Sequence, residues 1–229
     1  SDVCSSDLHD AIDRRHQQGA KQIPDTHEKR RFQDSEGGDR KTYNLPFEQD
    51  KLIEAILKVN KNVAVILISG NAVAMPWEKD VPAIVQTWYL GSEGGNAIAN
   101  VLTGAVNPSG KLPFSFPKKL EDNAAHSFGR LSYPGDSINQ YYKEDILVGY
   151  RWFDTKKIAP QFAFGYGLSY TTFEYGKITT DKTAYKADET IKISFTLKNT
   201  GKVDGAEAVQ VYASQPKASV MRPAKELKA

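Results

Sequence analysis

The sequence predicts an α/β protein in two parts, a parallel-rich α/β sandwich followed by a truncated antiparallel β-sandwich. Helix-like segments alternate with uninterrupted apolar strands before residue 165, a pattern typical of parallel sheets that are covered on both faces. After residue 170, apolar residues recur at every second position, which indicates strands with one solvated face. Only about three such strands follow, fewer than a seven-strand sandwich needs.

The first predicted element is a helix within residues 45–59. Its apolar residues recur at helical spacing, charged residues occupy the opposite face, and Asn60 and Lys61 end it. The predicted stripe consists of Leu52, Ile53, Ile56, Leu57 and Val59.

Two buried strands and a short helix come next. NVAVILISG (62–70) and PAIVQTWYLG (82–91) are continuous apolar runs, so both are predicted to be strands of a parallel sheet. SEGGNAIANVLTG (92–104) is predicted to be a helix, and NPSGKLP (107–113) a turn that leads into an edge strand. The predicted strand core consists of Val65, Ile66, Leu67, Ile68, Ile84 and Trp88.

The C-terminal part is predicted to carry one apolar and one wet face. In IKISFTL (191–197), apolar residues alternate with polar ones, and TTFEYGKITT and AEAVQVYAS show the same period. Because few strands are present, we expect part of the apolar face to be poorly covered, and such a patch favours aggregation. The patch consists of Ile193, Phe195, Val209 and Val211.

Composition narrows the range of partners. The chain has 229 residues, with 30 basic and 28 acidic side chains and a net charge of +2, which gives no electrostatic reason to expect nucleic acid or an anionic membrane. No apolar stretch approaches the roughly 20 residues that cross a bilayer. The single cysteine, Cys4, excludes a disulfide within the chain and a thiolate metal site, and the four histidines are scattered.

The N-terminal residues 1–30 are left unassigned. They show no clear apolar period, and the opening SDVCSSDL resembles a translated sequencing adapter. We expect this segment to be non-native or disordered, and we expect the chain to be a fragment of a longer protein.

The segment DSEGGDR (34–40) places a carboxyl group, Glu36, beside two glycines. Gly37 and Gly38 can adopt positive φ and remove side-chain bulk, so a ligand or another domain could approach Glu36 closely. A solvated turn is the competing interpretation, because Asp, Ser and Gly cluster in turns for ordinary conformational reasons.

Several long motifs resemble glycoside hydrolase family 3. They are EGGDRKTYNLPFEQDKLI, AVILISGNAVAMPW, WYLGSEGGNAIANVLTGAVNPSGKLP and FGYGLSYTTF, in this order. The resemblance implies an enzyme with a TIM-like barrel, an α/β sandwich and a fibronectin type III-like domain. It assigns residues 31–165 to the C-terminal α/β sandwich domain and residues 173–229 to part of the fibronectin type III-like domain.

The resemblance also implies a chemical role for the glycine-flanked loop. In this family the general acid/base is commonly a glutamate in a short motif that ends in Asp-Arg, which places the role on Glu36, with Asp39 and Arg40 supporting the loop as an ion pair. The aspartate nucleophile belongs to the barrel, which is absent from this sequence, so the chain alone is expected to be inactive. No metal and no organic cofactor are expected.

The implied activity is that of an exo-acting retaining β-glucosidase, which hydrolyses terminal β-D-glucosyl residues of a β-glucoside or oligosaccharide. A β-xylosidase or related exo-glycosidase is an alternative, as is a non-catalytic carbohydrate-binding or assembly module, which the aromatic-rich stretch 141–173 favours. A nucleotide binder rests only on the α/β pattern, since the segment 69–71 lacks a phosphate-loop motif. The family implies a periplasmic or extracellular location.

Other candidate side chains are interpreted as structural. Glu93 is expected to favour a helix N-terminus, and GYRWFD (149–154) is expected to pack between domains rather than stack on sugar. If Glu36 is not the acid/base, Glu93 and then Glu144 are the next carboxyl groups to consider.

Overall fold

The helices and strands alternate in the first half of the chain, and short strands follow. The computed structural model describes residues 42–136 and 138–229. Its helices are α1 (Gln49–Val59), α2 (Gly94–Leu102), α3 (Ala124–Ser127) and α4 (Tyr150–Lys156), with a 3-10 helix at Leu120–Asp122. Its strands are β1 (Ala64–Leu67), β2 (Ala83–Gln86), β3 (Phe173–Tyr175), β4 (Thr179–Thr180), β5 (Ile193–Ser194), β6 (Leu197–Asn199), β7 (Tyr212–Ala213) and β8 (Glu226–Leu227).

Strands β1 and β2 pair in parallel, with Ala64 opposite Ala83 and Leu67 opposite Gln86. Both lie inside the predicted strands but are shorter. Among the predicted core residues, Val65 and Leu67 are buried, while Ile66, Ile84 and Trp88 are half-buried. The prediction for Ile68 is wrong, because its side chain is 61% exposed. Ile68 follows the last paired residue and alternates with Leu67, so it points to the face that the described residues leave uncovered.

Helix α1 buries only part of its predicted stripe. Leu57 is buried and Ile53 packs against the same cluster, as expected for two residues four positions apart on one helical face. By contrast, Leu52 is 60% exposed and Val59 is 86% exposed. The apolar stripe of α1 is therefore wider than the surface against which the described residues pack it.

The main hydrophobic core lies around the parallel strands and the segment between them. Its most deeply buried members are Val73, Trp77 and Phe116, at 1%, 2% and 1% exposure. Phe116 stacks on Phe114 at 5.4 Å between ring centroids, and Trp88 approaches both rings. A second, smaller cluster combines Ala124, Leu147, Trp152 and Phe153.

The predicted edge strand after residue 107 does not form as a regular strand. Phe116 makes an isolated antiparallel bridge with Phe162, and Leu112 donates its amide to Tyr166 at 2.8 Å. Pro113 lies between these two contacts. Because proline has no N–H, it interrupts the ladder that this segment would otherwise complete.

The C-terminal strands pair in antiparallel fashion as β3 with β6, β4 with β5, and β7 with β8. The predicted poorly covered face is confirmed, because Ile193 is exposed and Phe195, Val209 and Val211 are only half-buried. Residues 43–229 form one unit. In the described residues, no helix is both long and apolar enough to span a bilayer.

Candidate active-site face

The predicted site residues Glu36, Asp39 and Arg40 lie outside the described residues, as does the unassigned segment 1–30. Their roles therefore stay predictions. The described structure begins directly after them, so it shows how the chain that follows the Glu36 loop is anchored, and which other polar and aromatic groups occupy the strand ends.

Tyr43 anchors the chain that follows the predicted loop. Its carbonyl oxygen accepts the amide of Ala74 at 2.9 Å, and its hydroxyl donates to the carbonyl of Pro117 at 2.8 Å. The ring packs against the main core, as does Leu45. A main-chain contact, a side-chain contact and apolar packing thus hold this point to two separate segments.

The carboxyl ends of β1 and β2 are joined by polar contacts beyond the ladder. The amide and the hydroxyl of Thr87 both donate to the carbonyl of Leu67, each at 2.9 Å. Gln86 Nε2 donates to the carbonyl of Ser69 at 3.1 Å, and Ser69 Oγ donates to the carbonyl of Asn71 at 2.6 Å. In parallel α/β sheets, the crevice outside the carboxyl ends of the strands is the usual place for a ligand.

Two consecutive aromatic residues, the half-buried Trp88 and the exposed Tyr89, lie at these strand ends. Trp88 has a left-handed backbone with φ of 57°, which is uncommon for a bulky residue and is found at constrained sites. The following residue, Tyr89, is 69% exposed. Its ring lies so close to Gly70 that a Cβ there would meet Tyr89 Cε2 at 2.8 Å, so a larger residue at position 70 would displace the exposed Tyr89 ring.

A cavity of about 580 Å³ lies beside β2, against the segments 108–112 and 166–170. Its lining is mainly apolar, and among the lining residues of the described part Glu78 is the only acidic one. Retaining glycosidases need two carboxyl groups about 5 to 5.5 Å apart. Within the described residues, the lining of this cavity therefore supplies at most one carboxyl group of such a pair.

The two other candidate carboxyl groups differ in their surroundings. Glu93 is exposed at the start of α2, where Oε2 accepts Asn96 Nδ2 at 2.6 Å and the side chain makes no bond to the helix backbone. It therefore supports the helix start through a side chain rather than through main-chain amides. Glu144 is buried at 9% exposure, and its Oε2 has no hydrogen-bond partner in the described residues.

The GYRWFD segment forms α4 and packs inside the protein. Trp152 and Phe153 are buried, and Trp152 Nε1 donates to the carbonyl of Asp122 at 3.1 Å. The hydroxyl of Tyr150 accepts the amide of Leu227 at 2.8 Å. Trp152 and Phe153 therefore pack into the smaller core cluster, and Tyr150 reaches the C-terminal strand β8. The predicted position between two domains stays a prediction.

Sequence reasoning missed two contacts that join distant segments. Lys111 Nζ lies 3.0 Å from Glu207 Oε2, with both side chains 15% exposed, and Lys111 also donates to the carbonyl of Gly167 at 2.7 Å. Glu207 Oε1 accepts the hydroxyl of Tyr175; desolvation, followed by this bond, raises the pKa of Tyr175. No local pattern in the sequence marks these partners, because they lie far apart along the chain.

The second missed contact is centred on Asn107. Its Oδ1 accepts Ser169 Oγ at 3.0 Å and the amide of Tyr170 at 2.8 Å. Its Nδ2 donates to the carbonyl of Asp204, 97 positions away, at 3.0 Å.

As for metals, the part of the chain from 42 to 229, Ser137 excepted, contains no cluster of three or more His, Cys, Asp or Glu side chains that could hold an ion.

Comparison with known proteins identifies the class. The model of the glycosyl hydrolase family 3 C-terminal domain matches residues 25–170. The chain therefore belongs to glycoside hydrolase family 3.

Individual relatives and structures agree with that family. The chain is 62% identical over 200 residues to a beta-glucosidase of Bacteroides ovatus, covering 87% of this chain and 27% of that protein. It resembles a crystal structure of Kluyveromyces marxianus beta-glucosidase in complex with glucose, with a TM-score of 0.78, 46% identity and coverage of 85% and 22%. A Bifidobacterium adolescentis beta-glucosidase structure gives a TM-score of 0.78 at 40% identity, covering 85% of this chain and 28% of that one.

These matches confirm the α/β fold class and the family resemblance. They also show that the chain spans about a quarter of the length of the curated relatives that it matches.

Proposed function

We propose that this chain is the acid/base-bearing part of an exo-acting retaining β-glucosidase. The observation that carries the proposal is the 62% identity over 200 residues to the Bacteroides ovatus beta-glucosidase. The substrate is a β-glucoside or oligosaccharide with a terminal β-D-glucosyl residue. Residues 31–165 then correspond to a parallel-rich α/β sandwich domain, and residues 173–229 to part of a fibronectin type III-like domain.

Glu36 is the proposed general acid/base. A retaining mechanism needs one carboxyl group to protonate the leaving oxygen and later to deprotonate water, while a second attacks the sugar. The SEGGDR motif supports the choice, because Gly37 and Gly38 permit close approach of another domain. The anchoring of Tyr43 also supports this assignment, because a fixed residue shortly after the loop restricts the range of positions that the Glu36 carboxyl group can occupy.

The remaining parts of the reaction are divided between this chain and a barrel outside it. Asp39 and Arg40 are proposed to hold the loop as an ion pair. The nucleophile is proposed to lie on a barrel that the relatives' greater length accommodates, so the chain alone hydrolyses no glycoside. By family analogy, the enzyme acts in the periplasm or outside the cell and needs no metal or organic cofactor.

The test uses a chimera in which this chain replaces the matching part of the Bacteroides ovatus enzyme. Glu36→Gln keeps the shape of the side chain but removes the transferable proton. General acid/base catalysis contributes roughly 10² to 10⁴-fold to the rate. The Glu36→Gln chimera should therefore hydrolyse alkyl glucosides more slowly by about that factor. Aryl glucosides with good leaving groups need little protonation, so their glycosylation step should change far less.

Two further variants separate the acid/base from its support. Glu36→Ala should be partly rescued by azide, which attacks the glycosyl-enzyme without a base, whereas Asp39→Asn should lose activity without rescue. Glu93→Gln is the matched control and should keep its rate on both substrates. Equal slowing of good and poor leaving groups by Glu36→Gln would move the role to another carboxyl group. Comparison of glucoside with xyloside hydrolysis by the full-length parent protein, which carries its own barrel, decides between β-glucosidase and β-xylosidase.

A further inference from the structure

Glu144 is a buried acidic side chain without a partner. It is 9% exposed, and its Oε2 has no hydrogen-bond partner within the described residues. The salt bridges of the described chain pair other residues. Its main chain is held in a turn, where its carbonyl accepts the amide of Leu147 at 3.1 Å. The backbone at Glu144 is therefore held in place, while the buried carboxyl oxygen Oε2 has no partner in the described residues.

Such a group needs an explanation, because buried polar atoms in folded proteins are nearly always hydrogen-bonded. An acidic side chain taken out of water without a partner is especially unfavourable. Its sequence neighbours Lys143 and Asp145 are exposed and make no ion pair with it in the described structure. A donor from outside the described residues would remove the cost.

The surroundings of Glu144 have the character of an interface. Tyr141, Tyr142, Ile146 and Val148, here called the 141–148 surface, are 48%, 73%, 45% and 59% exposed. Between them Leu147 is 2% exposed and belongs to the smaller core cluster. The surface is thus firmly attached to the protein, yet its large apolar side chains face outward around a buried acid. Interfaces commonly combine exposed aromatic anchors with a few desolvated charge pairs.

We propose that the 141–148 surface docks onto the remainder of the glycosidase, and that an arginine or lysine of that remainder pairs with Glu144. The inference rests on the proposed function, in which this chain is one part of a longer enzyme. Two observations favour this occupant. The chain spans 27% of its Bacteroides ovatus relative, so most of such a protein lies outside it. The unpaired acid within an apolar surface calls for a cation, by charge complementarity.

The test compares Glu144→Met in two contexts, the chain alone and the chimera with the Bacteroides ovatus enzyme. In the chain alone, methionine removes an unpaired polar group at similar volume, so Tm should stay unchanged or rise by about 2 to 4 °C. In the chimera, the same change leaves the partner cation buried and unpaired, so Tm should fall by about 2 to 5 °C. A fall in Tm in the chimera only, with an unchanged or higher Tm in the chain alone, supports the proposal; a fall in both contexts, or in neither, overturns it.

Three further variants sharpen this result. Glu144→Gln should lower Tm of the chimera about as much as Glu144→Met, because a neutral amide does not replace the charge; an unchanged Tm would mean a neutral donor and overturn the cationic partner. Tyr142→Ser should lower the Tm of the chimera and should not change the Tm of the isolated chain. Glu121→Met, at an exposed position, is the matched control and should change neither.

Solution size and activity separate the remaining outcomes. If the chain alone is a dimer in sedimentation and Tyr142→Ser makes it monomeric, the occupant is a second copy and the proposal is overturned. The Tm comparison does not depend on turnover. An inactive chimera in which Glu144→Met lowers Tm only in the chimera would therefore refute the proposed function and keep the interface. An active chimera in which the change lowers Tm in both contexts, or in neither, would do the reverse.

Discussion

Residues 42–172 and residues 173–229, here called the first and second halves of the described chain, bury their side chains very differently. Every buried hydrophobic side chain in the described residues lies between Leu57 and Phe153, whereas within residues 173–229 only Pro223 is buried. Both halves contain apolar residues at regular spacing. In the first half, helices and loops pack against the strands, while in the second the described residues supply no opposing layer. Regular spacing therefore produces a core only where a second layer covers it.

Polar contacts hold the second half to the first. Lys111 with Glu207, Asn107 with Asp204, and Tyr150 with Leu227 all cross between the two halves. Hydrogen bonds and ion pairs demand specific geometry but contribute less net stability each than a large buried side chain. The comparison predicts that core substitutions in the first half cost most, that the crossing contacts come second, and that surface groups of the second half come last.

The largest expected effect is that of Phe116→Ala. Phe116 is 1% exposed and contacts three other aromatic rings, so its loss should lower the free energy of unfolding by about 3 to 5 kcal/mol. The matched change Phe195→Ala, at a half-buried ring of the second half, should cost less than about 1.5 kcal/mol. Urea unfolding of both variants measures the difference, and equal costs would break the comparison.

The ion pair of Lys111 comes next. Both side chains are 15% exposed. Lys111→Met leaves Glu207 largely desolvated without its cation, with only the hydroxyl of Tyr175 still donating to it, so the change should cost about 2 to 4 kcal/mol. A double-mutant cycle with Glu207→Gln should recover part of this loss. Lys51→Met is the control, since its pair with Glu48 is 73% exposed on both sides and should contribute nothing measurable. Additive costs at 111 and 207 would mean that the pair is not coupled.

Asn107→Ala should have an intermediate effect. It removes three hydrogen bonds that join the residue 107 turn to residues 169, 170 and 204. At about 0.5 to 1.5 kcal/mol for each net bond, the loss should be about 2 to 3 kcal/mol. Hydrogen exchange should show faster exchange around residue 204 while β1 stays protected. Faster exchange in β1 would show that the two halves unfold together.

The smallest expected effect is a pH-dependent one in the second half. The hydroxyl of Tyr185 donates to Asp181 Oδ1 at 2.6 Å, and this bond, followed by the amide of Lys192, lowers the pKa of Asp181 below its ordinary 3.8. A lowered folded-state pKa means that the contribution to stability is present above the unfolded pKa and is lost as the pH falls through the folded one. Asp181→Asn should therefore lower Tm slightly at pH 7 and not at pH 2. A deficit that persists at pH 2 would rule out the carboxylate as its source.

The local predictions succeeded where a short window of sequence carries the information. The continuous apolar runs around β1 and β2 were recognised because buried parallel strands need no alternation. The prediction of a regular edge strand after residue 107 was wrong at Pro113, although a proline in the sequence itself indicates that a strand is interrupted. The candidate site was recognised only through the family resemblance, since Glu36 in a glycine-rich turn has no local property that separates a catalyst from a solvated loop.

By itself, the sequence determined the family and the positions of α1, α2, β1 and β2, because motifs and hydrophobic periods are properties of neighbouring residues. Only the tertiary structure decided which apolar residues are buried. Leu57 is covered and Ile68 is not, although both belong to apolar patterns that predict burial. It also decided that Lys111 meets Glu207 and that Glu144 is buried without a partner. The physical reason is that burial and pairing depend on segments far apart in the chain, which no local window contains.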